Sequence, residues 1–309
     1  MDKAFFEEAL SIKVGIPGGL LYYRYDTFIH TFFDSLEIEC EYSIKKKKKI
    51  LDMGVKNCVD EACLPMKIYH GHAQNLKNNC DYLYIPRIMT CENNESICPK
   101  FCGLPEMVMS GIKRHNNVID DPIHMKKNHD LVQYFLKIGQ ALGVKERKTI
   151  KAYKNAYNKH QHKIKGIFDE GYQHTVFLGG HPYNIYDSFA NMNLIQKLRE
   201  HQIGIITEER VNRKDKDHEL GHLIKKPYWL FFRNNYGASK YLARNAHIDG
   251  IVYISSFSCG IDSITIEMMK NNLPNLPFLV LKIDEHTGEA GMNTRIEAFA
   301  DMLERRRFH

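Results

Sequence analysis

Apolar, β-branched runs alternate with amphipathic stretches along this chain, the pattern of parallel sheets covered by helices. A first strand over Ile12–Ile16 runs into the turn Pro17-Gly18-Gly19, and the periodicity then becomes that of a helix through Tyr22–Phe33. A strand near Ile38–Tyr42, a helix after Cys63 and a strand over Tyr82–Ile85 ending at Pro86 follow. Asp130–Phe168 reads as mostly helical, with a break marked by Gly139 and Gly143. The pattern restarts at Thr175–Leu178 with the turn Gly179-Gly180-His181-Pro182 and a helix around Asn191–Glu200. Strands near Ile203–Thr207, Gly250–Ser255 and Phe278–Ile283 complete it. The expected fold is α/β: two Rossmann-like domains with parallel sheets, over 1–145 and 171–309, a helical linker over 146–170, and a metal-cluster cleft between the domains.

A length of 309 residues with 43% hydrophobic and 26% charged side chains suits two domains better than one. The net charge of +6 comes partly from Lys45–Lys49 and from Arg305, Arg306 and Arg307. Such runs read as solvated surface, because a nucleic-acid face needs basic residues spread among aromatics. No stretch approaches the roughly 18 to 20 apolar residues that cross a bilayer. The opening MDKAFFEEALSIK is acidic where a secretory signal is basic, so the expectation is a cytoplasmic protein that binds neither membrane nor nucleic acid.

Eight cysteines without short regular spacing do not make a secreted disulfide framework, which turns attention to metal or redox chemistry. Cys63 (EACLPMKIYHGH), Cys98 (SICPKFCGLPEM) and Cys259 (ISSFSCGIDSITIE) each read as standing beyond an apolar strand, beside Gly or Pro, at the start of a helix. A helix N-terminus favours thiolate and lowers its pKa, and ligands of parallel sheets sit beyond the carboxyl ends of strands. Three such thiolates suggest an iron–sulfur cluster with one iron left open to a non-protein ligand. Cys40 and Cys80 read as small buried residues, and Cys58 likewise. Cys91 and Cys102 flank Cys98 and are the residues that a double cubane of eight irons would recruit. A zinc site is the alternative, from the pair Cys98-x3-Cys102 with His70 and His72, although no second close cysteine pair exists and Cys259 is then left without a role.

Other residues follow the same strand-end logic. Lys67 and Lys100, close after Cys63 and Cys98, either face a cluster's sulfides or are solvent-exposed lysines. Gly18 and Gly19 in the first domain and His181 in the second occupy matching turns that shape the cleft and make them cofactor-binding candidates. Glu285, His286 and Glu289, in the loop after the last strand, are candidates for acid, base or hydrogen-bond roles, set against a merely capped turn. Ser255, Ser256 and Ser258 have no identifiable His/Asp partners, so a serine hydrolase has little support.

The segments CLPMKIYHGHAQNL, DYLYIPRI, CPKFCGLPEM, GGHPYNIYD, SFSCGIDS and LKIDEHTGEAGMNTRIEAFADML together resemble the domain associated with activators of 2-hydroxyacyl-CoA dehydratases. That family is related to the subunits of 2-hydroxyglutaryl-CoA dehydratase and to double-cubane cluster proteins. The resemblance implies a 4Fe-4S cluster held by Cys63, Cys98 and Cys259 and an oxygen-sensitive protein, with a homodimer as the family's expectation. It also implies an ATP-hydrolysing activator as the donor of low-potential electrons. The function expected is an iron–sulfur reductase or a dehydratase-like lyase component acting on a small substrate, for which an acyl-CoA is one candidate. In the dehydratase version the open iron binds the substrate's oxygen and one electron makes a ketyl radical whose hydroxyl leaves more readily. No phosphate-binding Gly/Lys loop is present, so ATP hydrolysis is expected of the partner rather than of this chain. The competing class is a non-catalytic binding or assembly module with a structural zinc.

Overall fold

The computed structural model describes residues 12–43, 47–112, 117–126, 128–245 and 247–307. Residues 1–11, and Lys45 and Lys46 of the basic run, lie outside the described residues. Three sheets are present among the described residues, and every strand pair in them is parallel.

The first sheet has the order β2-β1-β3-β5. It is built from β1 (Lys13–Pro17), α1 (Tyr22–Leu36), β2 (Glu39–Ser43), α2 (Lys47–Lys56), α3 (Leu64–Leu76) and β3 (Tyr82–Tyr84). A two-stranded sheet pairs β4 (Arg87–Thr90) with β6 (Pro122–His124), with α4 (Leu104–Gly111) and β5 (Val118–Ile119) between them in the chain. Next, α5 (Asn128–Ala141) and α6 (Glu146–His162) form an antiparallel-type hairpin around Gly143, whose φ of +70° suits glycine. Gly139 instead lies within α5. The buried Thr149, Ala152, Tyr153 and Ala156 are the core-facing stripe of α6, and Phe28 of α1 meets Tyr153 edge-on.

The second sheet has the order β10-β9-β7-β8. Its elements are β7 (His174–Gly180), α7 (Pro182–Ile185), α8 (Leu194–Glu200), β8 (Ile203–Ile206), α9 (Arg213–His218), α10 (Leu230–Arg244), β9 (Gly250–Ser256), α11 (Gly260–Asn272), β10 (Phe278–Ile283) and α12 (Glu289–Arg307). Strand periodicity divides its core in two. Val176, Leu178, Ile203, Ile205, Val252 and Ile254 face α8 and α12, whereas Phe177, Ile251 and Tyr253 face α10 and α11. With both faces covered, the central residues of the strands are apolar on both sides, and polar residues such as His174, Ser255 and Ser256 stand at the strand ends. At the end of β7, Gly180 has φ +147° and a Cβ there would lie 2.5 Å from the Ile254 carbonyl oxygen. The chain therefore turns into His181 hard against β9, with the Asn235 side chain receiving the Gly180 N–H at 2.9 Å.

Helix α3 lies between these cores. Met66, Tyr69 and Ala73 join the core of the first sheet, while Leu64 and Ile68 join that of the second. It packs on α2 at a crossing of glycines: a Cβ on Gly54 would lie 1.8 Å from the Lys67 carbonyl oxygen, and one on Gly71 would lie 1.9 Å from that of Ile50. Only two residues without side chains let the backbones approach that closely.

Two expectations about the cysteines change. Cys63 does not follow a strand, because α2 intervenes after β2, and Cys98 follows β4 and a 3-10 turn rather than β3. The short strands involved carry polar residues and give no alternating apolar pattern.

Candidate metal and redox site

Cys63 and Cys259 occupy the N-cap positions of α3 and α11, and Cys98 caps the 3-10 turn Pro99–Phe101 ahead of α4. Pro65 and Pro99 sit in the first turns, where a missing N–H costs little. The cap carbonyls open the helices: that of Cys63 accepts from the N–H of Met66 at 2.9 Å, and that of Cys259 from Ser263 at 3.1 Å. Each thiol is therefore fixed to the first turn of a packed element.

One buried group lies within electrostatic reach of all three sulfurs. The Tyr183 phenol is kept protonated by its burial, and negative charge on Cys63, Asp262, Cys98 or Cys259 would reinforce this. Tyr183 also stacks on His181, with ring centroids 5.0 Å apart, and faces Phe101 at 6.3 Å. Lys100 places its Nζ 3.8 Å from the Cys63 sulfur. Here the helix-dipole expectation is reversed. Burial raises the Cys98 thiol above its ordinary value against the pull of the Lys100 backbone N–H, and burial together with Asp262 pushes Cys259 up to about 12. Desolvation of an anion outweighs the helix terminus until a cation arrives, and coordination then deprotonates a thiol outright.

Beside Cys259 is a second buried cluster. His181 and Asp262 are 3% and 1% exposed, and their Nδ1 and Oδ1 are 3.1 Å apart. The Tyr253 hydroxyl donates to Asp262 at 2.8 Å. Burial alone would raise the Asp262 carboxyl, but the histidine and the hydroxyls around it hold it below its usual range. Ligand atoms of His181, Cys259 and Asp262 all lie within 4.8 Å of one another, close enough to share one metal ion.

The remaining candidates are arranged less tightly. Lys67 is only 2% exposed, so it is not a solvent-exposed lysine, and it forms an ion pair with Glu285. His286 is 86% exposed, 3.9 Å from Glu285, and Glu289 pairs with Lys197 at 2.6 Å on the surface. Gly18 borders a small pocket with Tyr23, His72 and Asp187, so the turn after β1 meets the loop after α7. Gly19 packs against Tyr69. Cys91 is fully buried and its thiol is pushed up to about 12, mainly by burial. Cys102 donates to the Ile88 carbonyl at 3.5 Å. His70 Nδ1 lies 3.2 Å from the Asn57 carbonyl and His72 Nδ1 lies 2.9 Å from the Ser43 hydroxyl, so neither ring is grouped with Cys98 or Cys102 among the described residues.

Asp262, Tyr253 and the pairing of Glu285 were missed from sequence, whereas Tyr183 falls in the loop after His181 that the sequence reading placed at the cleft. For Asp262 a signal existed: Cys259-x2-Asp262 puts a carboxylate in the first turn behind an N-cap thiol, where the helix end favours it. Nothing in the sequence marks the partner of Lys67.

Residues 13–211 match the family described as CoA enzyme activase uncharacterised domain (DUF2229). Residues 134–303 match 2-hydroxyglutaryl-CoA dehydratase, D-component. Each match covers more than half of the chain. No curated protein matches. Among solved structures, the C-terminal domain of glucosamine-fructose-6-phosphate aminotransferase from Francisella tularensis aligns at 12% identity over 95% of this chain and 82% of its own. Its TM-score of 0.21 carries no argument.

Proposed function

This chain belongs to the family of CoA enzyme activase domains related to the 2-hydroxyglutaryl-CoA dehydratase D-component, and on that premise we propose that it is an iron–sulfur redox component of such a system. It takes low-potential electrons from an ATP-hydrolysing activator and reduces or dehydrates a small substrate. The observation that carries the reading is the gathering of three helix-capping thiols, from distant parts of the chain, around the Tyr183 phenol.

The donor set fits a 4Fe-4S cluster: three cysteine sulfurs, with burial raising the Cys98 and Cys259 thiols above their ordinary value, and a lysine ammonium alongside. Cys63, Cys98 and Cys259 would hold it, and when bound it would supply one-electron chemistry at low potential. Lys100 stabilises negative charge on the Cys63 sulfur. Tyr183 stays protonated at neutral pH and offers a hydrogen bond at the edge of the site. Asp262 orients the His181 imidazole, which is positioned to hold or accept a proton beside Cys259. We assign acid–base work to the loop carrying Glu285, His286 and Glu289, with Glu285 anchored to α3 through Lys67. Gly18 borders a small pocket shared with Asp187 and Phe189, and Gly19 packs on α3 through Tyr69.

Metal analysis of anaerobically reconstituted variants tests the ligand set. Cys63→Ala, Cys98→Ala and Cys259→Ala should each lose iron, whereas Cys40→Ala should keep it. Iron retained in the first three and lost in Cys40→Ala rejects the assignment.

The compact set His181, Cys259 and Asp262 favours one second reading, a structural zinc in a non-catalytic module. Stoichiometric zinc that disappears in His181→Ala and Asp262→Ala, with no iron taken up by the parent protein, selects it.

A further inference from the structure

A separate cavity of about 360 Å³ lies between α1, α5, α6 and the two-stranded sheet, and none of the three thiols lines it. Its walls are largely apolar and aromatic, including Phe28, Phe135 and Tyr157. The volume is roughly twice that of an engineered cavity of ~150 Å³ known to take up benzene, and it lies within the range of ligand pockets.

Two polar groups in the wall are poorly satisfied. His160 is 5% exposed and its Nδ1 is buried with no hydrogen-bond partner among the described residues. The Tyr25 hydroxyl has only sulfur acceptors, Met125 at 3.6 Å and Cys91 at 3.9 Å, which are weak ones. Buried polar groups are paired in native structures, and an exception calls for an occupant. The two rings are neighbours, with centroids 5.6 Å apart, so one group on a bound molecule can reach both. It must accept from the Tyr25 O–H and also exchange a hydrogen bond with an imidazole nitrogen, which a hydroxyl does.

The charge of the occupant follows from the wall. Glu92 lines the cavity but already pairs with Arg24 at 3.2 Å, so neither offers a free charge. Burial, and then the nearby Lys165 charge, hold the His160 pKa down to about 4, which leaves a neutral imidazole at pH 7. Lys126 and Lys165 also border the cavity, but Lys165 already faces the carboxylates of Glu92, Glu208 and Glu209, so a bound carboxylate beside His160 would meet acidic charge as well as basic. We propose that this cavity binds a small, uncharged, largely aromatic or alicyclic molecule carrying one hydroxyl group.

The probe is 2-naphthol, two fused rings with one hydroxyl, titrated by fluorescence and calorimetry against the full chain at pH 7. Naphthalene and 2-naphthoate serve as comparison ligands. Saturable one-to-one binding is expected, tightest for 2-naphthol. His160→Leu and Tyr25→Phe should each weaken it about fivefold, the loss of one hydrogen bond. Leu131→Trp, which fills the cavity, should remove binding while the unfolding midpoint stays at the parent value; Ile29→Phe replaces it if that variant does not fold. Uptake that does not saturate, as expected of a cavity holding only water, overturns the proposal. So does binding that survives both filled variants, or tighter binding of 2-naphthoate.

Discussion

Replacing Glu285 by Gln should destabilise the protein by about 2 kcal/mol at pH 7. The ion pair it breaks joins residues 218 apart in sequence, with Lys67 on the buried α3 and Glu285 in the loop after β10. Removing one partner of a fully buried pair costs about 3–5 kcal/mol, because the other charge is left without a counter-ion. Glu285 is 18% exposed, and a glutamine carbonyl still accepts one hydrogen bond from the ammonium, so the lower figure is expected. The pH dependence has a definite sign. Burial would raise the Glu285 carboxyl, but the hydrogen bond and charge of Lys67 outweigh it and hold the folded value below the ordinary 4.5. The stabilisation is therefore complete above the unfolded value and is lost as pH falls through the lower folded one. Urea unfolding of parent and Glu285→Gln should show a gap at pH 7 that narrows as pH falls below the ordinary carboxylate value of 4.5. The double variant Lys67→Met/Glu285→Leu should cost less than the two single changes together. A gap constant from pH 3 to 7, or strict additivity in the double variant, refutes the reasoning.

The Cys259 thiol, pushed up to about 12 by burial and by Asp262, should alkylate with iodoacetamide far more slowly than a free cysteine in the metal-free protein at pH 8. Asp262→Asn should accelerate that site, as peptide mass spectrometry would measure, and an unchanged rate contradicts the electrostatic cause. Gly71→Ala must push α2 and α3 apart, since its Cβ would sit 1.9 Å from the Ile50 carbonyl oxygen. A loss of about 2–3 kcal/mol in denaturant unfolding is expected, and a variant as stable as the parent would show that the helices separate freely. Tyr253→Phe removes the 2.8 Å bond to a buried carboxylate and should cost about 1.5–3 kcal/mol by the same assay, against no change if the hydroxyl is idle.

The long strands were legible because their apolar, β-branched runs have both faces covered. β1, β7, β9 and β10 fall within two residues of where periodicity puts them. The strands β4, β5 and β6 were not, since they are two to four residues long and draw on polar residues such as Arg87 and His124. Helix α2 was hidden at the end of the lysine run. At the site, residue type and a neighbouring Gly or Pro were enough to single out Cys63, Cys98 and Cys259 as helix caps. What those neighbours could not reveal was desolvation, which depends on residues far away in the chain. Burial raises the Cys98 and Cys259 thiols where a helix end alone favours thiolate, and it makes Lys67 half of a buried ion pair rather than a solvent-exposed lysine. The role of Asp262 was obscured for the same reason, because an acidic residue in a first turn is ordinary until His181 is seen packed against it.

Electron paramagnetic resonance combined with iron analysis, on protein reconstituted and reduced without oxygen, addresses the redox assignment most directly. About four irons per chain are expected, with a paramagnetic signal on one-electron reduction that is lost when Cys63, Cys98 and Cys259 are all replaced by Ala. Protein that stays iron-free and silent, or that gives the same signal without those three sulfurs, contradicts that assignment.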